Sequence, residues 1–423
     1  MEERGSSGTT VEHIQLALRR AGYQPGPIDG MFGPATETAL QSFQRAQGLS
    51  PDGVAGPASW EGLAPFLRGY ARHAAQSGDT FSSLARQYGT TPAAIRTANP
   101  ALSALPLPAG TAVVVPFGFS LVPVRVRYSA QLTQYIVQGL TARYPFISRG
   151  SIGGSVMGRP IPYLRMGRGP AQVFYSAAFH ANEWITTPLL LHFLEQYAAA
   201  YAASGSIGGV PAAGLYDKAT LYMVPMVNPD GVDLVNGVID SGSYYEQARA
   251  MAAAYPDIPF PSGWKANISG VDLNLQFPAN WERARQIKFA QGFTRPGPRD
   301  YVGPGPLTAP ESLAVYRFTL NRDFSIILAY HTQGEVIYWK YLDYEPADSR
   351  RIADYFGRVS GYTVEQTPYA SSFAGYKDWF IQDYNRPGYT IEAGRGINPL
   401  PLSQFDQIYR DNIGILTGAI TQI

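Results

Sequence analysis

Residues 172–184 read QVFYSAAFHANEW, a largely apolar run that closes on His180, Asn182 and Glu183. A short apolar stretch ended by polar residues reads as a buried strand, and TTPLLLHFLEQYAAAYAA at residues 186–203 follows it as a helix. The pattern returns in ATLYMVPMV at residues 219–227, which leads into Asn228-Pro229-Asp230-Gly231, and in FSIILAYH at residues 324–331, which ends on His331. From about residue 124 to the end, this alternation predicts an α/β domain with a central mixed β-sheet flanked by helices. In such sheets sites form at the carboxyl ends of strands, which is where these polar residues fall.

The chain has no cysteine and five histidines, His13, His73, His180, His192 and His331, so any metal must be held by His, Asp or Glu. His180 and Glu183 at one strand end and His331 at another complete a three-ligand set with one open position, the arrangement of a catalytic zinc. His192 lies between apolar residues of a helix and is expected in packing. His13 and His73 are expected at the surface.

Over 423 residues, 33 Lys and Arg face 32 Asp and Glu, a net charge of +1 that argues against a nucleic-acid partner. The opening MEERGSSGTT lacks the basic region and apolar core of a secretory signal. The longest apolar stretch, near residues 111–124, is broken by Pro116, Gly118, Ser120 and Pro123 and is too short to span a bilayer. A soluble protein is expected.

Two small blocks precede the α/β region. In residues 9–67, two helical faces flank QPGPIDGMFGPAT, and Asp29-Gly30, Phe32-Gly33, Thr36, Phe43-Gln44, Asp52-Gly53 and Trp60 follow in order. This pattern resembles the three-helix peptidoglycan-binding domain of wall hydrolases. Residues 74–117 hold Gly78-Asp79-Thr80 before an amphipathic helix, with Thr80 as its N-cap, then Ala98-Asn99-Pro100 and a Val113 to Val115 strand. This β-α-α-β unit resembles a LysM domain, which implies binding of N-acetylglucosamine-containing glycans. Residues 1–8 are expected to be flexible, and residues 124–423 to form the catalytic domain.

Within that last domain come Asn228-Pro229-Asp230-Gly231, Trp264-Lys265-Ala266-Asn267, Gly270-Val271-Asp272-Leu273-Asn274, Asp378-Trp379 and Tyr389-Thr390-Ile391-Glu392. In this order they resemble the carboxypeptidase A-like zinc peptidases, and among them the bacterial γ-D-glutamyl-L-diamino-acid endopeptidases. The resemblance implies His180, Glu183 and His331 as zinc ligands and Glu392 as general base. It places Lys265, nine residues before Asn274, where the family carries an oxyanion-stabilising arginine, and makes Asp272 the carboxylate that orients His180. Tyr369 stands near the family's mobile tyrosine, one residue further from Asp378-Trp379 than the pattern asks, with Tyr376 as a weaker substitute. Asn274 matches the substrate-carboxylate residue, but the next position, usually arginine in true carboxypeptidases, is Leu275. Without that bidentate clamp another anchor is needed, and Arg395, close after Glu392, is the candidate by proximity in sequence.

The resemblance therefore implies one zinc ion and hydrolysis of the bond between γ-D-glutamate and meso-diaminopimelate or L-Lys in peptidoglycan stem peptides. The accessory modules would hold glycan strands. Alternatives are a general metallocarboxypeptidase and a non-catalytic wall-binding protein. The setting implied is the cell wall or spore cortex, with cytoplasm or mother cell left open by the missing signal.

Overall fold

The computed structural model describes residues 1–103 and 106–423; Ala104 and Leu105, inside the stretch read as a LysM domain, lie outside the described residues. The chain divides into two compact units, Met1–Arg127 with Gln131–Ser148, and Tyr128–Ala130 with Arg149–Ile423.

The first unit opens with helices α1 (Thr9–Arg20), α2 (Pro34–Ala46) and α3 (Pro57–Arg68). The turn DGMFGPAT at residues 29–36 returns as DGVAGPAS at residues 52–59, and each copy is fastened by one buried glutamine. Gln15 Nε2 donates to Asp29 Oδ1 at 3.0 Å and its Oε1 accepts from Gly30 N at 2.9 Å. Gln44 Nε2 donates to Asp52 Oδ1 at 2.8 Å and its Oε1 accepts from Gly53 N at 3.0 Å. Residues 1–8 run across these turns: Ala55 N donates to Glu2 O at 2.8 Å and Phe32 N to Ser6 O at 2.9 Å. Turn amides without intrahelical partners recruit this segment as their acceptor.

Strand β1 (Tyr70–Ala74) pairs antiparallel with β2 (Ala112–Pro116), and α4 (Phe81–Tyr88) and α5 (Pro92–Ala98) lie between them in sequence. Thr80 caps α4 as expected, in a reciprocal box with Ser83. Asn99 holds the end of α5 to the sheet, donating to Val114 O at 2.7 Å and accepting from Val114 N at 2.9 Å. From Gln131, helix α6 (Ala130–Arg143) packs onto the same unit. A Cβ at Gly139 would meet Arg68 O at 2.1 Å, so only glycine permits this approach. Buried Arg143 then donates to Gly69 O at 2.8 Å, Phe117 O at 2.9 Å and Phe119 O at 3.0 Å.

Neither accessory histidine is a surface residue. His73 bridges Tyr88 Oη at 3.0 Å and Asp79 Oδ2 at 2.9 Å. His13 is 6% exposed, because Arg127 closes over α1 and its carbonyl O lies 2.8 Å from His13 Nε2. Burial lowers His13 to about 4, against an ordinary value of 6.5. The unfolded chain therefore binds the proton more tightly. His13 contributes stability that is complete above pH 6.5 and lost as pH falls through 4, at most roughly 3 kcal/mol. Denaturant unfolding at pH 7 and pH 4.5 is expected to show this loss, reduced in His13→Gln; equal pH dependence in the variant would refute the assignment.

The second unit is built on an eight-stranded sheet. Its strands are β3 (Ser148–Gly154), β4 (Pro160–Met166), β5 (Ala171–Ala177), β8 (Ala219–Val224), β9 (Phe324–His331), β10 (Val336–Tyr338), β11 (Thr363–Glu365) and β12 (Gly388–Glu392). The short pair β6 (Ser206–Ile207) and β7 (Val210–Pro211) stands apart. The order across the sheet is β11-β10-β12-β9-β5-β8-β4-β3, with β12, β9, β5 and β8 mutually parallel. Alternate residues of β5 face opposite layers. Phe174 stacks on Phe324 and meets Phe318 and Tyr376, whereas Tyr175 packs on Phe193 of α7 (Thr186–Ala202) and bonds to Leu416 O of the C-terminal helix Phe405–Thr421. This is the mixed sheet with helices on both faces that the sequence predicts. No helix of the described residues is long and apolar enough to cross a membrane.

From β5 the chain moves to β8 on one side, then returns to β9 on the other, so the strand order reverses between β5 and β9. A crevice opens at such a reversal, beyond the carboxyl ends of the strands.

Candidate metal centre

His180 and Glu183 reach this crevice on a single turn, Ala181–Glu183, directly after β5. Thr186 fixes the turn, its Oγ1 accepting from Ala178 N at 3.1 Å and donating to Glu183 O at 2.7 Å. Asn228, beyond the end of β8, donates to Phe179 O at 3.1 Å and Ala266 O at 3.0 Å, joining this turn to the segment that carries Lys265. His331 is the last residue of β9 and Glu392 the last of β12, and the two are partners in the parallel register.

The three proposed donors converge. Glu183 Oε1 lies 3.0 Å from His180 Nδ1, Glu183 Oε2 lies 2.9 Å from His331 Nδ1, and the two Nδ1 atoms are 3.1 Å apart. Tetrahedral zinc with bonds of about 2.0–2.1 Å sets its donors about 3.3 Å apart, so a small expansion of this triangle seats the ion. His180 presents Nδ1 because its Nε2 is engaged by Asp272 Oδ1 at 3.1 Å. Buried His331 Nε2 has no hydrogen-bond partner among the described residues, which fits a ring that carries its proton there and offers Nδ1 to a cation.

Charge is concentrated here. Burial alone would lower His180, yet Glu183 and Asp272 raise it to about 9. Burial opposes ionisation of Glu183, but His180 and Lys265 hold it well below the carboxylate range. Lys265 Nζ sits 3.1 Å from Glu183 Oε1. Burial, reinforced by Glu183, pushes Glu392 up to about 8.

A cavity of about 610 Å³ brings together His180, Lys265, Asp272, Asn274, His331 and Glu392. Leu275 lines it as well. Glu183 lies behind His180 and His331 rather than in the lining, and the two expected substrate-binding residues Arg395 and Tyr369 are not in its walls. Arg395 is carried outward at Gly394 and Gly396, both at positive φ, and its Nε and Nη2 pair with Glu335 Oε2 at 2.6 and 2.5 Å. Tyr369 is 60% exposed with its Oη 3.2 Å from Arg283 Nε, although Pro368 and Ser371 on either side do line the cavity. Tyr376 is fully buried, with Oη on Thr319, and offers no substitute. His192 packs between Phe405 and Tyr409 as expected. Sequence reading missed three cations in the walls, Lys288, Arg299 and Lys377; the Arg299-Asp300 pair amid prolines and glycines and the Lys377-Asp378 pair were the available signals.

The zinc carboxypeptidase family model matches residues 133–414, over the sheet and every residue of the donor set. The chain belongs to the zinc carboxypeptidase family. Its cofactor is zinc, for which His180, Glu183 and His331 are a fitting donor set. A putative peptidoglycan binding domain model matches residues 7–63 and a LysM model residues 73–116. Gamma-D-glutamyl-L-diamino acid endopeptidase 1 of Lysinibacillus sphaericus is 46% identical over 294 residues, 69% of this chain and 72% of that one. The uncharacterized protein YqgT of Bacillus subtilis (strain 168) is 42% identical over 280 residues, 66% and 73% of the two chains. Among solved structures, thrombin activatable fibrinolysis inhibitor superposes with a TM-score of 0.55 at 18% identity, covering 72% of this chain and 76% of its own. Carboxypeptidase A from Helicoverpa armigera gives 0.53 at 20% identity, covering 71% and 75%. At these identities the structures speak for the shared fold alone.

Proposed function

We propose that this zinc peptidase hydrolyses the bond between the γ-carboxyl of D-glutamate and the diamino acid, meso-diaminopimelate or L-Lys, of peptidoglycan stem peptides. The reading is carried by the 46% identity, across most of both chains, to a relative named for that activity. Leu275 supports it, since an apolar side chain stands where a carboxypeptidase would clamp a free C-terminus. His180, Glu183 and His331 would hold the zinc, which when bound would supply Lewis acidity and lower the pKa of water. Asp272 fixes the His180 ring. Glu392 accepts a proton as the water oxygen bonds to the γ-carbonyl carbon. As the C–N bond breaks, the same carboxyl returns that proton to the leaving amine. Lys265 Nζ sets positive charge beside the carbonyl oxygen as it becomes an oxyanion, a point charge where arginine would offer a fork. Asn274 contributes to substrate binding.

Incubating L-Ala-γ-D-Glu-meso-diaminopimelate with the protein, with and without chelator, tests the reading by mass spectrometry. Metal-dependent release of L-Ala-D-Glu is expected. An intact tripeptide beside trimmed ordinary C-terminal peptides would favour a general carboxypeptidase instead.

Residues 9–67 and 74–117 serve as wall-binding modules and 124–423 as the catalytic domain, placing the enzyme at the cell wall, the spore cortex included. Two weak glycan contacts raise the local concentration of stem peptides without altering the site. Deleting residues 1–117 would strip α6 of its partners Gly69 and Phe117, so competition is the cleaner experiment. Added N-acetylglucosamine oligomers are expected to slow release of fragments from intact sacculi and to leave tripeptide cleavage unchanged. Equal inhibition of both would argue against this division of labour.

A further inference from the structure

A γ-glutamyl acyl group differs from an ordinary peptide acyl group in one charged feature, the free α-carboxylate four bonds from the scissile carbon. An enzyme that selects this bond needs a cation for that group on the acyl side of the cleft. Leu275 is apolar and Arg395 is engaged with Glu335 outside the cavity. Resting on the endopeptidase reading, we propose that Arg299 is the specificity residue that receives the α-carboxylate of the γ-linked glutamate.

The cations in the cavity walls are not equivalent. Lys265 faces Glu183, Lys288 Nζ is 2.6 Å from Asp300 Oδ1, and Lys377 Nζ is 2.5 Å from Asp378 Oδ1 and 2.8 Å from Lys340 O. Arg299 uses only Nε, at 2.5 Å from Asp300 Oδ2, and its two Nη groups have no hydrogen-bond partner among the described residues. It is also the only guanidinium among the described residues of the wall, so it alone offers the planar fork that takes a carboxylate through two parallel bonds. Asp300 is shared between Lys288 and Arg299 and so pairs fully with neither.

The backbone on either side of Arg299 is tied to the segments that carry Lys265 and Asp272. Pro298 O accepts from Lys265 N at 2.7 Å and Ala266 N at 3.0 Å. Asp300 N donates to Asp272 Oδ2 at 3.2 Å, and Asp272 N to Tyr301 O at 2.9 Å. Asp300 adopts a left-handed φ of 62°, a conformation that aspartate tolerates better than most non-glycine residues. The backbone of Arg299 is thereby fixed next to the segment of Lys265, the residue that the proposed function sets beside the acyl oxygen.

The test compares L-Ala-γ-D-Glu-meso-diaminopimelate with its α-carboxamide counterpart, for zinc-loaded wild type, Arg299→Gln and Arg299→Lys. Wild type should prefer the acid by about tenfold to a hundredfold in kcat/KM, the value of a charge-assisted pair. In Arg299→Gln this acid-to-amide ratio should collapse toward one, and Arg299→Lys, with charge but no fork, should fall between. An unchanged ratio in Arg299→Gln, whatever its absolute rate, overturns the proposal. If that variant does not fold, the wild-type ratio and that of Arg299→Lys decide, an absent acid preference or an unaltered one being fatal. Wild type that cleaves both substrates equally removes the Arg299 assignment alone; wild type that cleaves neither removes the endopeptidase reading and the assignment with it.

Discussion

Glu392→Gln is expected to lower kcat on the tripeptide by about 10²–10⁴-fold while zinc content stays at the wild-type level. The amide keeps the shape and burial of the carboxyl group but has no lone pair basic enough to take a proton from water. Position makes the effect specific. Glu392 closes β12 in register with His331, so its carboxyl group faces the donor set without belonging to it. Its burial, with Glu183 nearby, pushes it up to about 8 in the metal-free chain, and a bound divalent cation acts in the opposite direction by favouring the carboxylate. A base works only when deprotonated, so activity should fall as pH drops, with an acid limb below 8 that belongs to this group. Metal analysis and a pH profile check both halves: loss of zinc from Glu392→Gln, or retention of near-normal turnover, would contradict the role.

How much of this could be read in the sequence follows from which residues act through local order. His180, Glu183, His331 and Glu392 sit at the ends of apolar runs, and a buried strand delivers its last residue to a predictable place, so spacing along the chain converts into position. The two turns beside Gln15 and Gln44 are legible for a similar reason, since their Asp-Gly chemistry is local. Arg395 fails because nearness in sequence to Glu392 carries no direction once Gly394 and Gly396 turn the chain. Arg299 lies in a loop without periodicity, and its location is set by Pro298 and Asp300 bonding to residues 265, 266 and 272. His13 is buried by Arg127, more than a hundred residues later, a contact that no local pattern encodes.

Glu183→Gln should abolish tight zinc binding and, with it, the effect of chelators on stability. Of the three donors Glu183 is the only anion, and it contacts both of the others, with Oε1 toward His180 and Oε2 toward His331. It also faces Lys265, which burial would drive toward its neutral form were Glu183 not opposing that shift. Removing the charge therefore leaves the cation without an anionic donor and takes from Lys265 the carboxylate it touches, with Asp272 and Glu392 as the remaining carboxylates, a loss of about 3–5 kcal/mol for a broken buried pair. In wild type, zinc present at a thousandfold over its dissociation constant stabilises the fold by about 4 kcal/mol, so chelation should lower Tm by several degrees. The variant should unfold at one temperature with or without chelator, hold far less than one zinc per chain, and lose turnover to the extent that Glu392→Gln does or more. The contrast between the two carboxylates is the discriminating result. Zinc retained in Glu392→Gln and lost in Glu183→Gln separates the group that moves protons from the group that holds the ion, whereas a Glu183→Gln protein that keeps its metal would remove Glu183 from the donor set.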